Sequence, residues 1–309
     1  MFTGCGTAMV TPFRGDGSLD ESTLRNLIQR QIDAGIDFLV PCGTTGESPT
    51  LTHKEHLRVV ELTVEVAKGA ARSSGARSNV PVLAGAGGYN TAEVIALAQE
   101  LAAIGVDGIL SVTPYYNKPT QEGLYQHYRA IAERLSLPII LYSVQGRTGV
   151  NIEPATVKRL TEIENIVGIK EASGSIAQMA AILNTVPDNF IVLSGDDAIT
   201  LPLIALGGRG VISVVSNEIP AEMTRLAGFA VNGDFARARE LHRRYHALME
   251  VNFVESNPIP VKAAMAEMAL LERVWRLPLV APKAENQARI RSVLASVGLV
   301  DRVHAAVAN

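Results

Sequence analysis

Short apolar runs rich in valine, isoleucine and leucine recur along the chain at residues 7–10, 38–41, 80–84, 108–112, 138–142, 166–170, 190–193 and 210–215. Between them, residues 21–34, 54–71, 91–104, 121–135, 154–161, 176–186 and 198–206 carry apolar positions at helical spacing. Near-continuous apolar runs, each followed by a helix, suit strands buried on both faces of a parallel sheet. Eight repeats is the number that closes a barrel, so the pattern predicts an α/β fold, the (β/α)8 TIM barrel. After Pro220 the alternation stops, and helix-favouring stretches run to the end, broken at 257–260 and 277–282. The expected organisation is a barrel over residues 1–220 with a C-terminal helical extension capping it over 221–309. Residues 72–79 are small, polar and basic, and read as an exposed loop at the base of the barrel.

With 309 residues, 47% of them hydrophobic, the chain can fill a barrel core, which takes about 250 residues. A formal charge of −3 and a pI near 6.1 lack the basic footprint of a nucleic-acid or anionic-membrane partner. No run reaches the roughly 18 apolar residues of a spanning helix, so no membrane partner is expected either. The two cysteines, Cys5 and Cys42, fit neither a zinc motif nor a disulfide framework, and no charged segment followed by an apolar stretch opens the chain. The expectation is a reduced, cytoplasmic protein that handles a small molecule.

Such barrels build their sites at the carboxyl ends of the strands, and the polar residues of this chain gather there. Strand two ends in Cys42-Gly43-Thr44-Thr45-Gly46-Glu47, strand four in Thr113-Pro114-Tyr115-Tyr116-Asn117, and strand five in Tyr142 followed by Gly146-Arg147-Thr148-Gly149. Strand six carries Lys170-Glu171-Ala172, and strand seven ends in Ser194-Gly195-Asp196-Asp197. A lysine closing the run Ile166-Val167-Gly168-Ile169 must desolvate its ammonium or find a partner. As a free amine it can attack a ketone and form an imine, which once protonated turns the adjacent carbon into an enamine nucleophile without a metal. The other reading of Lys170 has it reach solvent or pair with a carboxylate such as Glu171. Tyr142, one strand away, is placed to move the protons that imine chemistry requires, with Thr44, Thr45 and Tyr116 as relays.

Taken together these residues resemble the dihydrodipicolinate synthase and N-acetylneuraminate lyase superfamily, and within it the dihydrodipicolinate (4-hydroxy-tetrahydrodipicolinate) synthases. The likeness covers nearly the whole chain. It runs from Met1-Phe2-Thr3-Gly4 through Gly43-Thr44-Thr45-Gly46-Glu47-Ser48, Thr113-Pro114-Tyr115-Tyr116-Asn117-Lys118-Pro119 and Gly146-Arg147-Thr148-Gly149. Gly168-Ile169-Lys170-Glu171-Ala172, Leu193-Ser194-Gly195-Asp196-Asp197 and Asn257-Pro258-Ile259-Pro260-Val261-Lys262 continue it.

The resemblance implies a lyase in which pyruvate forms the imine at Lys170, and Tyr142, Thr44 and Tyr116 relay protons. It implies that Thr45 and nearby backbone hold pyruvate's carboxylate, that Gly195 and Ile212 line the substrate site, and that Arg147 binds the carboxylate of aspartate semialdehyde. It implies no cofactor and no metal. It further implies that Tyr116 is lent across a dimer interface, that two dimers form a homotetramer, and that the product feeds lysine and diaminopimelate synthesis. An allosteric lysine site would comprise Ser48, His53, His56, Glu93 and Tyr115. The chain departs from the family where Tyr142-Ser143-Val144-Gln145 replaces a common Tyr-Asn-Val-Pro, and where Pro49 and Tyr89 replace alanine and asparagine. The first departure leaves open another pyruvate aldolase, acting on a sugar acid or an aromatic aldehyde. A catalytically silent barrel is the reading from a different class.

Three features point elsewhere only superficially. Gly85-Ala86-Gly87-Gly88 lacks the third glycine of a dinucleotide fingerprint, where Asn90 stands. His53 and His56 have no third ligand at matching spacing. Asp196 and Asp197, being adjacent, point apart and suit loop hydrogen bonding rather than an acid–base pair.

Overall fold

All eight expected strands form in the computed structural model, which describes residues 1–69 and 79–301. They are β1 (Gly4–Ala8), β2 (Phe38–Val40), β3 (Leu83–Gly85), β4 (Gly108–Val112), β5 (Ile139–Ser143), β6 (Ile166–Glu171), β7 (Ile191–Ser194) and β8 (Gly210–Ser213). Every ladder between them is parallel. The sheet runs β2-β1-β8-β7-β6-β5-β4-β3, and its two end strands meet through a parallel bridge between Leu39 and Val82. There Leu39 N donates to Pro81 O at 2.9 Å and Gly85 N to Pro41 O at 3.0 Å. The sheet therefore closes on itself as the predicted (β/α)8 barrel. Gly85 is required at this seam, because a Cβ there would run into the carbonyl of Cys42.

Successive strand residues point to opposite faces, which divides the core in two. Phe2, Phe38, Leu83, Leu110, Leu193 and Ile212 pack together inside the barrel, while Leu39, Ala84, Ile109, Leu141, Ile169 and Val192 pack outward beneath the helices. Phe2 meets Phe38 edge-on at 5.6 Å, and a Cβ on Gly108, the first residue of β4, would lie 2.7 Å from the Phe2 ring. These rings fill the amino end of the lumen.

The helices are α1 (Glu21–Asp33), α2 (His53–Gly69), α3 (Thr91–Ile104), α4 (Gln121–Ala132), α5 (Gln145–Thr148), α6 (Pro154–Leu160), α7 (Ile176–Leu183), α8 (Thr200–Ala205), α9 (Pro220–Val231), α10 (Phe235–Val251), α11 (Ile259–Glu267) and α12 (Ala284–Val297). Some of their starts follow capping chemistry: the Asp20 carboxylate accepts from Thr23 N at 3.1 Å ahead of α1, and Ser175 Oγ accepts from Gln178 N at 3.2 Å ahead of α7. Helix α9, most of which the expected division assigns to the C-terminal extension, packs against β1 and β8 and completes the strand–helix cycle. Helices α10, α11 and α12 pack on one another. The loop expected at 72–79 lies outside the described residues except for Asn79, as do residues 302–309. Among the described residues no helix is long and apolar enough to cross a membrane.

Candidate active site

Tyr142 and Lys170 are register partners on β5 and β6, so both side chains leave the sheet on the same face at the same height. Tyr142 is 6% and Lys170 5% exposed. Lys170 Nζ lies 4.4 Å from the centre of the Tyr142 ring and makes no hydrogen bond or ion pair with any described residue. The alternative pairing with Glu171 does not occur. Glu171 points outward, where Oε1 accepts from Gln178 Nε2 at 2.9 Å and from Ser173 N at 3.2 Å. Burial pushes its carboxyl above the usual range.

A cavity of about 490 Å3 opens at the carboxyl ends of the strands. Its walls include Thr44, Tyr142, Arg147 and Asn257, and its apolar surface comes from Leu110, Val112 and Val144 among others. Lys170 adjoins the cavity through the Tyr142 ring. Gly195, at the end of β7, leaves room for the lysine: a Cβ there would stand 3.1 Å from Lys170 Cε. Ile212 is buried in the lumen.

The loop after β2 carries two residues with left-handed backbone, Cys42 and Glu47, each at φ 55°. A non-glycine residue held there is strained and needs its surroundings to fix it. The fixing groups come from far along the chain. Asn257 Nδ2 donates to Thr45 Oγ1 at 2.9 Å, and Lys262 Nζ pairs with Glu47, both side chains fully buried. Burial pushes the Glu47 carboxyl up and the Lys262 ammonium down, each opposed by the other's charge. The Cys42 thiol is pushed far up by burial, leaving it protonated.

Arg147 sits on α5, a one-turn helix inside the segment read as a loop, and its Nη2 donates to Asn257 O at 3.0 Å. Ser143, the first departure from the family pattern, faces the helix layer, where its hydroxyl donates to Asn151 Oδ1 at 3.2 Å. It does not enter the cavity. Tyr116 stands apart: it is 92% exposed with φ 65°, and it does not line this cavity.

Of the five residues of the expected lysine site, Ser48, His56 and Tyr115 line the cavity. His53 instead contacts Glu100 at 2.9 Å through Nε2, and Glu93 accepts from Asn90 Nδ2 at 2.9 Å. His56 Nε2 lies 2.9 Å from Gly85 O, and burial lowers its basicity. Asp196 and Asp197 do bond loops. Asp196 accepts from Ala198 N at 2.9 Å, and Asp197 Oδ2 from Val214 N and Val215 N at 3.0 Å each. Among the described residues no cluster of three or more histidine, cysteine or carboxylate side chains is arranged to hold a metal ion.

Sequence reading gave Asn257, Glu47 and Lys262 no role. Lys262 carried a usable signal, being the only charged residue in the apolar stretch from Ile259 to Met265, where a buried ammonium requires a counter-ion.

The chain is 53% identical to the 4-hydroxy-tetrahydrodipicolinate synthase of Koribacter versatilis (strain Ellin345), over 96% of each chain. A crystal structure of dihydrodipicolinate synthase from Aquifex aeolicus superposes with a TM-score of 0.92 at 43% identity, covering 97% of this chain and all of that one. A chloride-inhibited dihydrodipicolinate synthase from Acinetobacter baumannii, complexed with pyruvate, superposes at 0.93 with 41% identity and the same coverage. The family model for the dihydrodipicolinate synthetase family matches residues 1–297, so with this fold and these relatives the chain belongs to that family.

Proposed function

We propose that this chain is a class I lyase that condenses pyruvate with L-aspartate-4-semialdehyde to 4-hydroxy-tetrahydrodipicolinate, in lysine and diaminopimelate synthesis. The observation that carries the reading is a buried lysine without a hydrogen-bonding partner, set against a tyrosine ring on the wall of a closed-ended cavity. In this reading Lys170 Nζ attacks the pyruvate ketone, and loss of water leaves the protonated imine. Removal of a methyl proton gives the enamine, whose carbon adds to the aldehyde. The acceptor's amine then attacks the imine carbon, closes the ring and returns Lys170 as the free amine.

Tyr142 moves protons in these steps with Thr44, and Thr45 receives pyruvate's carboxylate. Gly195 and Ile212 shape the space beside the imine. Arg147 receives the acceptor's carboxylate, for which a planar guanidinium offers paired hydrogen bonds. Of the two departures that favour a sugar-acid or aromatic acceptor, Ser143 points outward and neither it nor Gln145 lines the cavity, which supports the aspartate-semialdehyde reading. Tyr116, so exposed on one chain, is assigned to the site of a second copy in a homotetramer built as a dimer of dimers. Ser48, His53, His56, Glu93 and Tyr115 are assigned to a regulatory lysine site. A cytoplasmic location belongs to the same reading.

The test is incubation with pyruvate and borohydride, followed by peptide mapping with Lys170→Ala as control, then assay with aspartate semialdehyde. A reduced pyruvate adduct on Lys170 and turnover of the semialdehyde are expected. No adduct, or one on another lysine, overturns the mechanism.

A further inference from the structure

Asn257 joins two parts of the site that lie on different strands' loops. Its Nδ2 donates to Thr45 Oγ1 after β2 at 2.9 Å, across 212 positions of sequence, and its main-chain carbonyl accepts from Arg147 Nη2 on α5 at 3.0 Å. The residue is 5% exposed and lines the cavity. Its segment is pinned a few residues on, where Lys262 N donates to Pro258 O and Lys262 Nζ pairs with Glu47. Glu47 is two residues past Thr45, so the C-terminal extension grips this loop at two points.

A hydroxyl has one hydrogen to donate. Because Thr45 Oγ1 accepts from Asn257, its own hydrogen is turned away from the amide, and it donates to no described residue although Thr45 is 2% exposed. A buried donor left open needs an acceptor. We infer that Asn257 is a positioning residue, which sets the Thr45 hydroxyl as a donor to the carboxylate of the ketoacid substrate and fixes the distance from Thr45 to Arg147. The inference rests on the proposed roles of Thr45 and Arg147.

It is tested in the full-length protein with Asn257→Ala, Asn257→Asp, Thr45→Val and the double variant Asn257→Ala/Thr45→Val, each checked by circular dichroism. Asn257→Ala should raise the KM for pyruvate about tenfold, the worth of one hydrogen bond to a charged group, with kcat changed much less. Asn257→Asp, which keeps the shape and reverses the hydrogen bond, should do the same. In the Thr45→Val background the Asn257→Ala change should be silent, because the hydroxyl it orients is gone. An unchanged pyruvate KM in folded Asn257→Ala, or effects that multiply in the double variant, would overturn the inference. Loss of fold in both Asn257 variants would also overturn it, assigning the residue to stability alone. Borohydride trapping separates this from the underlying reading: wild-type protein that traps no pyruvate defeats the function itself, whereas trapping that merely needs more pyruvate in Asn257→Ala supports the positioning role.

Discussion

Replacing Lys262 with methionine isolates one interaction whose removal leaves a charge stranded. The ammonium and the Glu47 carboxylate are both fully buried. Lys262 Nζ lies 4.4 Å above the Phe13 ring, and the Arg276 guanidinium lies 4.1 Å from the same ring. Arg276 is paired with Glu55 at 2.6 Å, and its charge and backbone N–H already act on Glu47, so they are part of the wild-type balance and do not make up for the lost ammonium. Breaking a buried pair from one side costs about 3–5 kcal/mol, because the remaining charge keeps its desolvation cost and loses its compensation. Glu47 can escape only by protonating. Without Lys262 its folded-state pKa, already raised by burial, moves further above the unfolded value. A carboxyl raised in this way contributes stability at low pH and loses it as pH rises, so Lys262→Met should cost most near pH 8 and least near pH 5. The double variant Lys262→Met/Glu47→Leu should recover most of the loss, since an apolar replacement of a buried pair is often neutral. Urea unfolding of wild type, Lys262→Met, Glu47→Leu and the double variant at the two pH values, followed by far-UV circular dichroism, measures all of this. A Lys262→Met cost below about 1 kcal/mol at pH 8, or a double variant as unstable as the summed singles, would refute the reasoning.

Gly195→Ala should slow borohydride trapping by at least about tenfold, because the added methyl would stand 2.5 Å from Ala172 Cβ and 3.1 Å from Lys170 Cε, and overpacking of this kind costs about 1–3 kcal/mol; trapping at the wild-type rate would contradict the placement. Arg147→Ala should raise the KM for aspartate semialdehyde roughly tenfold to a hundredfold and leave pyruvate trapping intact, as steady-state kinetics with each substrate varied would show. Burial pushes the Glu218 carboxyl up to about 8, against an ordinary value near 4.5. The neutral acid therefore supports the fold fully below about pH 4.5, and that support fades as pH climbs to 8. Glu218→Gln should accordingly gain stability over wild type at pH 8 and not at pH 5, and equal shifts at both values would rule this out.

The strand–helix alternation was legible because parallel strands buried on both faces must be apolar throughout, and their number alone implied closure. Strand ends were less legible. The run at 80–84 ladders with β4 only from Leu83 to Gly85, since Pro81 has no N–H to give and offers only its carbonyl, to Leu39. The run at 7–10 became Gly4–Ala8 because pairing with β8 begins at Gly4 opposite Gly210. Helix α5 went unread, as four residues containing Gly146 show no periodicity. Lys170 and Tyr142 stood out because polar groups ending apolar runs are conspicuous in any sequence. Asn257 and Lys262 did not, because their partners lie 212 and 215 positions away. Tyr116 was read as a relay from its place at the end of strand four and as shared between chains from the resemblance, and one chain by itself leaves its phenol in the open.

The edge-on rings of Phe2 and Phe38 plug the amino end of the barrel, and a barrel plugged at one end imposes a queue. In the proposed mechanism both substrates reach Lys170 from the cavity at the carboxyl ends of the strands, whose wall carries Arg147. On that reading the ketoacid is seated before the aldehyde arrives, and water from the first condensation leaves before the second carbonyl takes its place. In that reading an enamine formed at Lys170, near the carboxyl end of β6, meets the second carbonyl from the same cavity. On the proposed mechanism, two aromatic side chains far from Lys170 thus limit the side from which substrates enter.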